Sequence, residues 1–157
     1  VAPVILIEQG FEGSLQAFAT DSLVAGYETR FYYPSVLALF ESEDCIGKPK
    51  AILGDDAWIE GVVVAIDNCA NERRDALLHI GKECLVTGQV LSNSKVEHHG
   101  VIRGSLVCSG FVLTSPTAYY QNHLMDAVID KPGLPGWFAG INFMESKTEQ
   151  KVVLWLE

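Results

Sequence analysis

Leu53-Gly54-Asp55-Asp56-Ala57-Trp58-Ile59-Glu60-Gly61-Val62-Val63-Val64-Ala65 states a pattern that the chain then repeats. Ile80-Gly81-Lys82-Glu83-Cys84-Leu85-Val86-Thr87-Gly88-Gln89-Val90-Leu91-Ser92 is a second copy, and residues 96–108 form a third. In each copy an aliphatic residue precedes a shared glycine by eight positions: Leu53 and Gly61, Ile80 and Gly88, Val96 and Gly104. Self-similarity of this kind predicts a solenoid, because one copy cannot bury its apolar face alone but stacked copies can. Strands fit the pattern and helices do not. Ile59, Gly61 and Val63 lie two apart, as do Val86, Gly88 and Val90, and Ile102, Gly104 and Leu106, which places them on one face of an extended segment. A glycine between two inward aliphatics suits a place where a neighbouring coil approaches too closely for a Cβ. Gly61, Gly88 and Gly104 are therefore expected to stack in one column, with Ile59, Val86 and Ile102 stacked beside them. The expected object is all-β, a short parallel β-helix.

Composition agrees. With 157 residues, 48% hydrophobic and 20% charged, the chain suffices for one domain with a real core, taken as residues 1–157. Eleven Lys and Arg against 20 Asp and Glu leave a net charge of -9, which repels phosphate backbones and argues against nucleic-acid binding. No stretch is long and apolar enough to span a bilayer directly. The opening Val1 lacks an initiating Met and a charged leader, so a signal, anchor or further domain is expected to precede it. Leu156-Glu157 is read as a tag remnant without structural meaning.

Around the repeat, Val4-Ile5-Leu6-Ile7 reads as a short strand at an edge or cap. Glu12-Gly13-Ser14-Leu15 parallels Arg103-Gly104-Ser105-Leu106 and is taken as a degenerate first coil. Pro34 interrupts a β-prone stretch over residues 30–40 and is expected at a corner, since proline offers no ladder N–H. Residues 41–50 form a loop. The Gly61 to Gly88 spacing is 27 residues against 16 for Gly88 to Gly104, and the surplus is placed in a side loop at 66–79. Coils thus extend over 11–113. Residues 115–157 form non-repetitive capping segments at the C-terminal end. There, 119–129 suits a short helix or an extended strand, 131–136 a turn and loop, and 152–156 a terminal strand.

The phrases at residues 53–61 and 12–17 resemble the coil phrase of the bactofilins, a bacterial polymer-forming cytoskeletal family. The resemblance covers about residues 11–26 and 51–113. It implies a right-handed parallel β-helix and a non-enzymatic structural or assembly module of a cell envelope or cytoskeleton. It further implies protein partners or self-association through solenoid edges, with a membrane-anchored or periplasmic location and the cytoplasm as the alternative. The insertion at 66–79, the aromatic stretch around Pro34 and the long tail depart from that family's uninterrupted repeats and argue against end-to-end polymerisation. Residues 4–7 on one side and the tail on the other are expected to cover the solenoid edges, leaving a monomer or small oligomer, and removal of 115–157 to expose one of them.

A hexad spacing, as in Leu53, Ile59 and Ala65, also resembles the hexapeptide repeat of left-handed β-helix acyltransferases, whose base is a histidine. The alternative function is therefore a carbohydrate-binding or acyl-transferring β-helix. His79, His98 and His99 lie near the repeat, although a histidine beside a corner is more often a solvated turn residue. A cleft joining them to carboxylates would favour this alternative. No catalytic residue, cofactor or metal site is assigned, since no zinc-like cysteine spacing occurs. Cys84 and Cys108 read as small core residues, and Cys45 and Cys69 as loop residues able to pair if oxidised. Asp55-Asp56 and Glu41-Ser42-Glu43-Asp44 read as solvated acidic turns. Trp137, Tyr119 and Tyr120 read as sugar-stacking rings or as caps of the core.

Overall fold

A computed structural model describes residues 1–41, 48–69 and 76–141. Its strands are β1 (Ala2–Ile7), β2 (Glu12–Gly13), β3 (Gln16–Ala25), β4 (Arg30–Phe40), β5 (Lys50–Leu53), β6 (Trp58–Ile66) and β7 (Leu78–Ile80). β8 (Leu85–Ser92), β9 (Lys95–His98), β10 (Val101–Val107), β11 (Gly110–Thr114), β12 (Tyr119–Gln121) and β13 (Val128–Asp130) follow. The described residues contain no helix, so the protein is all-β. The strands form one sheet in the order β12-β11-β9-β7-β5-β3-β4-β6-β8-β10-β13, with β1 on β3 and β2 on β4.

Neighbours on this path are mostly two apart in sequence, so the chain alternates between an odd-numbered and an even-numbered ladder. β3 belongs to both: residues 16–19 pair with β4 and residues 22–25 with β5. Every pairing is parallel except β11 with β12. The repeat is what sets the register. Gly61 pairs with Gly88 and Gly88 with Gly104, while Ile59, Val86 and Ile102 pair alongside them. These three aliphatics are fully buried. Leu23, Leu53, Leu78 and Val96 of the odd ladder join Phe31, Leu37, Val63 and Val90 of the even ladder in the same core. Phe11 packs on Phe31 with ring centres 5.3 Å apart.

The turns between the ladders stack as well. Glu28, Asp56 and Glu83 each adopt a left-handed backbone (φ 54°, 57° and 55°). The Glu28 N–H donates to Asp55 O at 3.2 Å and the Asp56 N–H to Lys82 O at 3.0 Å. Asp55 Oδ1 accepts the Lys82 N–H at 2.8 Å, so this acidic turn ties one corner to the next.

Several expectations are corrected. The surplus between the first two copies is shorter than residues 66–79. Ile66 ends β6, Leu77 is buried, and residues 78–80 form β7, because Leu78 and Ile80 bury on Ala51 and Leu53 of the adjacent strand. Of the two readings open for residues 119–129, the strand holds at both ends: β12 folds back antiparallel on β11, and β13 continues the even ladder on residues 101–103. Pro34 lies within β4 at a register irregularity, where three residues, 32–34, stand opposite Glu60. Gly13 pairs with Phe31, in the row of Ile59, so the phrase at residues 12–15 is offset by two residues from the expected glycine alignment. Residues 4–7 form the expected edge strand: they belong to β1, which pairs in parallel with β3. The expected strand at 152–156 lies outside the described residues.

Gly61, Gly88 and Gly104 have φ of 153°, 151° and 148°, a region that L side chains rarely adopt. A Cβ on Gly88 would collide with the Gly61 carbonyl oxygen, and one on Gly104 with that of Gly88. Gly88→Ala is therefore expected to destabilise by well over the ~1 kcal/mol of an average substitution. That loss lowers Tm by more than about 2–4 °C for a chain of this size. An unchanged melting curve would refute the close-approach account.

Candidate functional site

Alternation along two short strands builds the site. In β7, Leu78 and Ile80 point into the core, which turns His79 outward. In β9, Val96 and His98 are buried and Glu97 faces out. The parallel register places His79 directly beside Glu97. His99 follows Glu97 by two positions and joins the same face. The outcome is one carboxylate between two imidazoles: His79 Nδ1 is 3.2 Å from Glu97 Oε2, and His99 Nε2 is 3.3 Å from Oε1. The Thr114 N–H, at the end of β11, donates to the same Oε1 at 3.1 Å. The two imidazole ring centres are 5.9 Å apart.

This trio lies in an open cleft of about 750 Å³. Asp55 and Lys82 border it from the corner turns, and Ser115, Pro116, Tyr120, His123, Met125 and Asp126 from the segment around β12. Tyr120 and His123 pack with ring centres 5.5 Å apart. Burial alone would raise the Glu97 pKa, but the Thr114 N–H and the contacts with His99 and His79 outweigh it and hold the carboxyl below its ordinary value of 4.5. The trio thus presents an anion held between two bases that can each donate or accept a proton, suited to proton transfer or recognition of a polar ligand.

His98 is separate from this face. It is 2% exposed, its Nδ1 accepts the Gly100 N–H at 3.4 Å, and its Nε2 is 3.4 Å from Val128 O. Burial, with the neighbouring His99 adding to it, lowers its pKa and favours the neutral ring. Glu97 was not singled out in the sequence. The signal was present in Lys95-Val96-Glu97-His98-His99, where strict alternation puts Glu97 and His99 on one face and His98 on the other.

Among the remaining candidates, Cys84 is buried, and its thiol pKa is pushed up to about 12 by burial, with the Asp55 charge adding to it. Cys108 is half-buried and also raised by burial. Both are free, whereas Cys69 is disulfide-bonded; Cys45 lies outside the described residues. Glu41, Asp67 and Cys69 bring ligand-type atoms within 4.8 Å of one another, but a disulfide sulfur supplies no thiolate. The rest of the acidic run, residues 42–44, lies outside the described residues. Trp137 is exposed and packs edge-on against Tyr33 at 5.0 Å. The Tyr119 hydroxyl is 3.5 Å from Lys95 Nζ, and only Tyr120 lines the cleft.

Because the folded Glu97 carboxyl is more acidic than an unfolded one, its contribution to stability is present above the ordinary value of 4.5 and is lost as pH falls through the lower folded value. Glu97→Gln is expected to lower Tm near neutral pH, with the gap to the parent protein narrowing as pH falls below about 4. A gap independent of pH would show that the carboxylate charge is not what the histidines and Thr114 hold. No family model, curated protein or solved structure matches the chain.

Proposed function

We propose that the chain is a short parallel β-helix, right-handed like the bactofilins it resembles, and a non-enzymatic structural or assembly module of a bacterial cell envelope. The observation that carries this reading is the in-register column of Gly61, Gly88 and Gly104, with the strands alternating between two parallel ladders over one shared core. Each copy of the repeat then contributes one strand to each wall of a coil. The disulfide at Cys69 supports an oxidising compartment such as the periplasm. No helix among the described residues is long and apolar enough to cross a membrane.

The two ends differ in what they offer for assembly. β13 covers only residues 101–103 of β10, and the antiparallel β12 breaks the parallel register, so the C-terminal end is a poor template. At the other end β1 has β3 as its only strand partner among the described residues, and Val4 and Leu6 are 58% and 68% exposed. An exposed apolar edge strand favours association. Light scattering of the intact protein is expected to show discrete particles of a few chains, with Leu6→Lys shifting them to monomers. Extended, concentration-dependent polymers would overturn the one-ended scheme, and a strict monomer at every concentration would overturn the assembly role.

The cleft favours a second reading, a β-helix that binds or acyl-transfers a ligand. His79 or His99, each oriented by a Glu97 oxygen, is placed as a general base would be. Against it, the nearby Ser115 hydroxyl already donates to Ala118 O at 3.1 Å. Turnover of an acyl thioester with an amine acceptor, abolished by His79→Ala or His99→Ala, would establish this reading in place of the first. No turnover is expected.

A further inference from the structure

We propose that a second copy of this chain docks head to head on the first coil, β1 pairing antiparallel with the β1 of that copy to give a closed dimer. The inference rests on the assembly reading above and deepens it by naming the occupant of the free edge. Among the described residues β1 pairs only with β3 and β2 only with β4, so both ladders end in an unpaired row at this coil. The core is open there as well: Ile5, Phe11 and Leu15 pack against it but are only partly buried.

The backbone fixes what fits this edge. The Gly26 N–H donates to Ile7 O at 2.9 Å, so the N–H and C=O groups of Ile5 and Ile7 turn towards β3 and, by alternation, those of Val4 and Leu6 turn away from it. Pro3 falls at the register irregularity before Val4 and leaves these two residues untouched. An antiparallel strand satisfies them when Val4 stands opposite Leu6 of the second copy and Leu6 opposite Val4, each pair exchanging both backbone bonds. Ile5 then faces its own counterpart across the two-fold axis, on the core side. Charge selects this orientation. β1 carries no ionisable side chain, and Glu8 follows it directly. Antiparallel pairing sets the two Glu8 residues about 20 Å apart, beyond the ~8 Å Debye length of physiological salt, whereas parallel pairing would set them side by side. An isologous contact consumes the edge it uses, so assembly through this end stops at two chains.

Sedimentation of the intact protein is expected to show a monomer–dimer equilibrium that tightens as salt is raised, because each chain carries a net charge of -9. Leu6→Lys should weaken the dimer by about tenfold, since the cross-strand contact between Leu6 and Val4 occurs twice. Under mild oxidation Ile5→Cys should form a disulfide between chains, the facing pair lying about 4.5 Å apart at Cα. Val128→Cys, equally exposed to oxidant on β13 at the far end of the sheet, should not. Should Ile5→Cys fail to fold, a mixture of Val4→Cys and Leu6→Cys chains still decides, with the mixed disulfide expected to exceed either symmetric one. Dimers or larger particles without these crosslinks overturn the β1 pairing and leave the assembly reading standing. A monomer at every concentration overturns both.

Discussion

The close approach of backbone at Gly61, Gly88 and Gly104 is the constraint on which the rest of the protein depends. Each of these residues lies against a main-chain carbonyl of the preceding layer, where a Cβ has no room. Because side chains alternate with period two, a slip of one residue in a parallel ladder would exchange the buried and exposed faces of a whole strand. The glycine column opposes such a slip. It keeps Ile59 on Val86 and Val86 on Ile102 within the core.

The odd-numbered ladder inherits that order through the turns. Asp55 accepts from the backbone of Lys82, and the left-handed residues Glu28, Asp56 and Glu83 recur where the chain passes from one ladder to the other. With these corners aligned, β7 and β9 meet in the one register that sets His79 beside Glu97. The chemistry of the outer face is thus a consequence of inner packing: Leu78 and Ile80 turn His79 outward, and Val96 and His98 do the same for Glu97. The third element is the end of β11, whose Thr114 N–H binds Glu97 just before the chain reverses into β12 and builds the far side of the cleft.

Segments outside the repeat were where sequence patterns misled. In residues 119–129 the apolar spacing allowed either a helix or a strand. The free edges of β10 and β11 decided for strands, because an unpaired row of backbone groups is satisfied by another strand and not by a helix. Residues 78 and 79 looked like part of an insertion because the second copy begins only at Ile80. Burial of Leu78 and Ile80 nevertheless draws them into the ladder. Gly13 resembled the column glycines in its neighbours Glu12, Ser14 and Leu15, yet it pairs with Phe31 in the row of Ile59, and Ser35 of β4 stands opposite Gly61.

The period-two aliphatics around three equally placed glycines determined, from sequence alone, that the protein is all-β, which residues stack, and that Cys84 is a core position. Those are properties of local periodicity and repetition, which a linear text carries in full. Only the tertiary structure decided that His79, Glu97 and His99 share a cleft while His98 does not. Glu97 and His79 are 18 positions apart and meet through inter-strand register. Thr114 is 17 positions beyond Glu97 and reaches it because β11 ends there. Distances of this kind are set by the number of residues taken up in turns and irregularities between ladders, and no periodic pattern records that number.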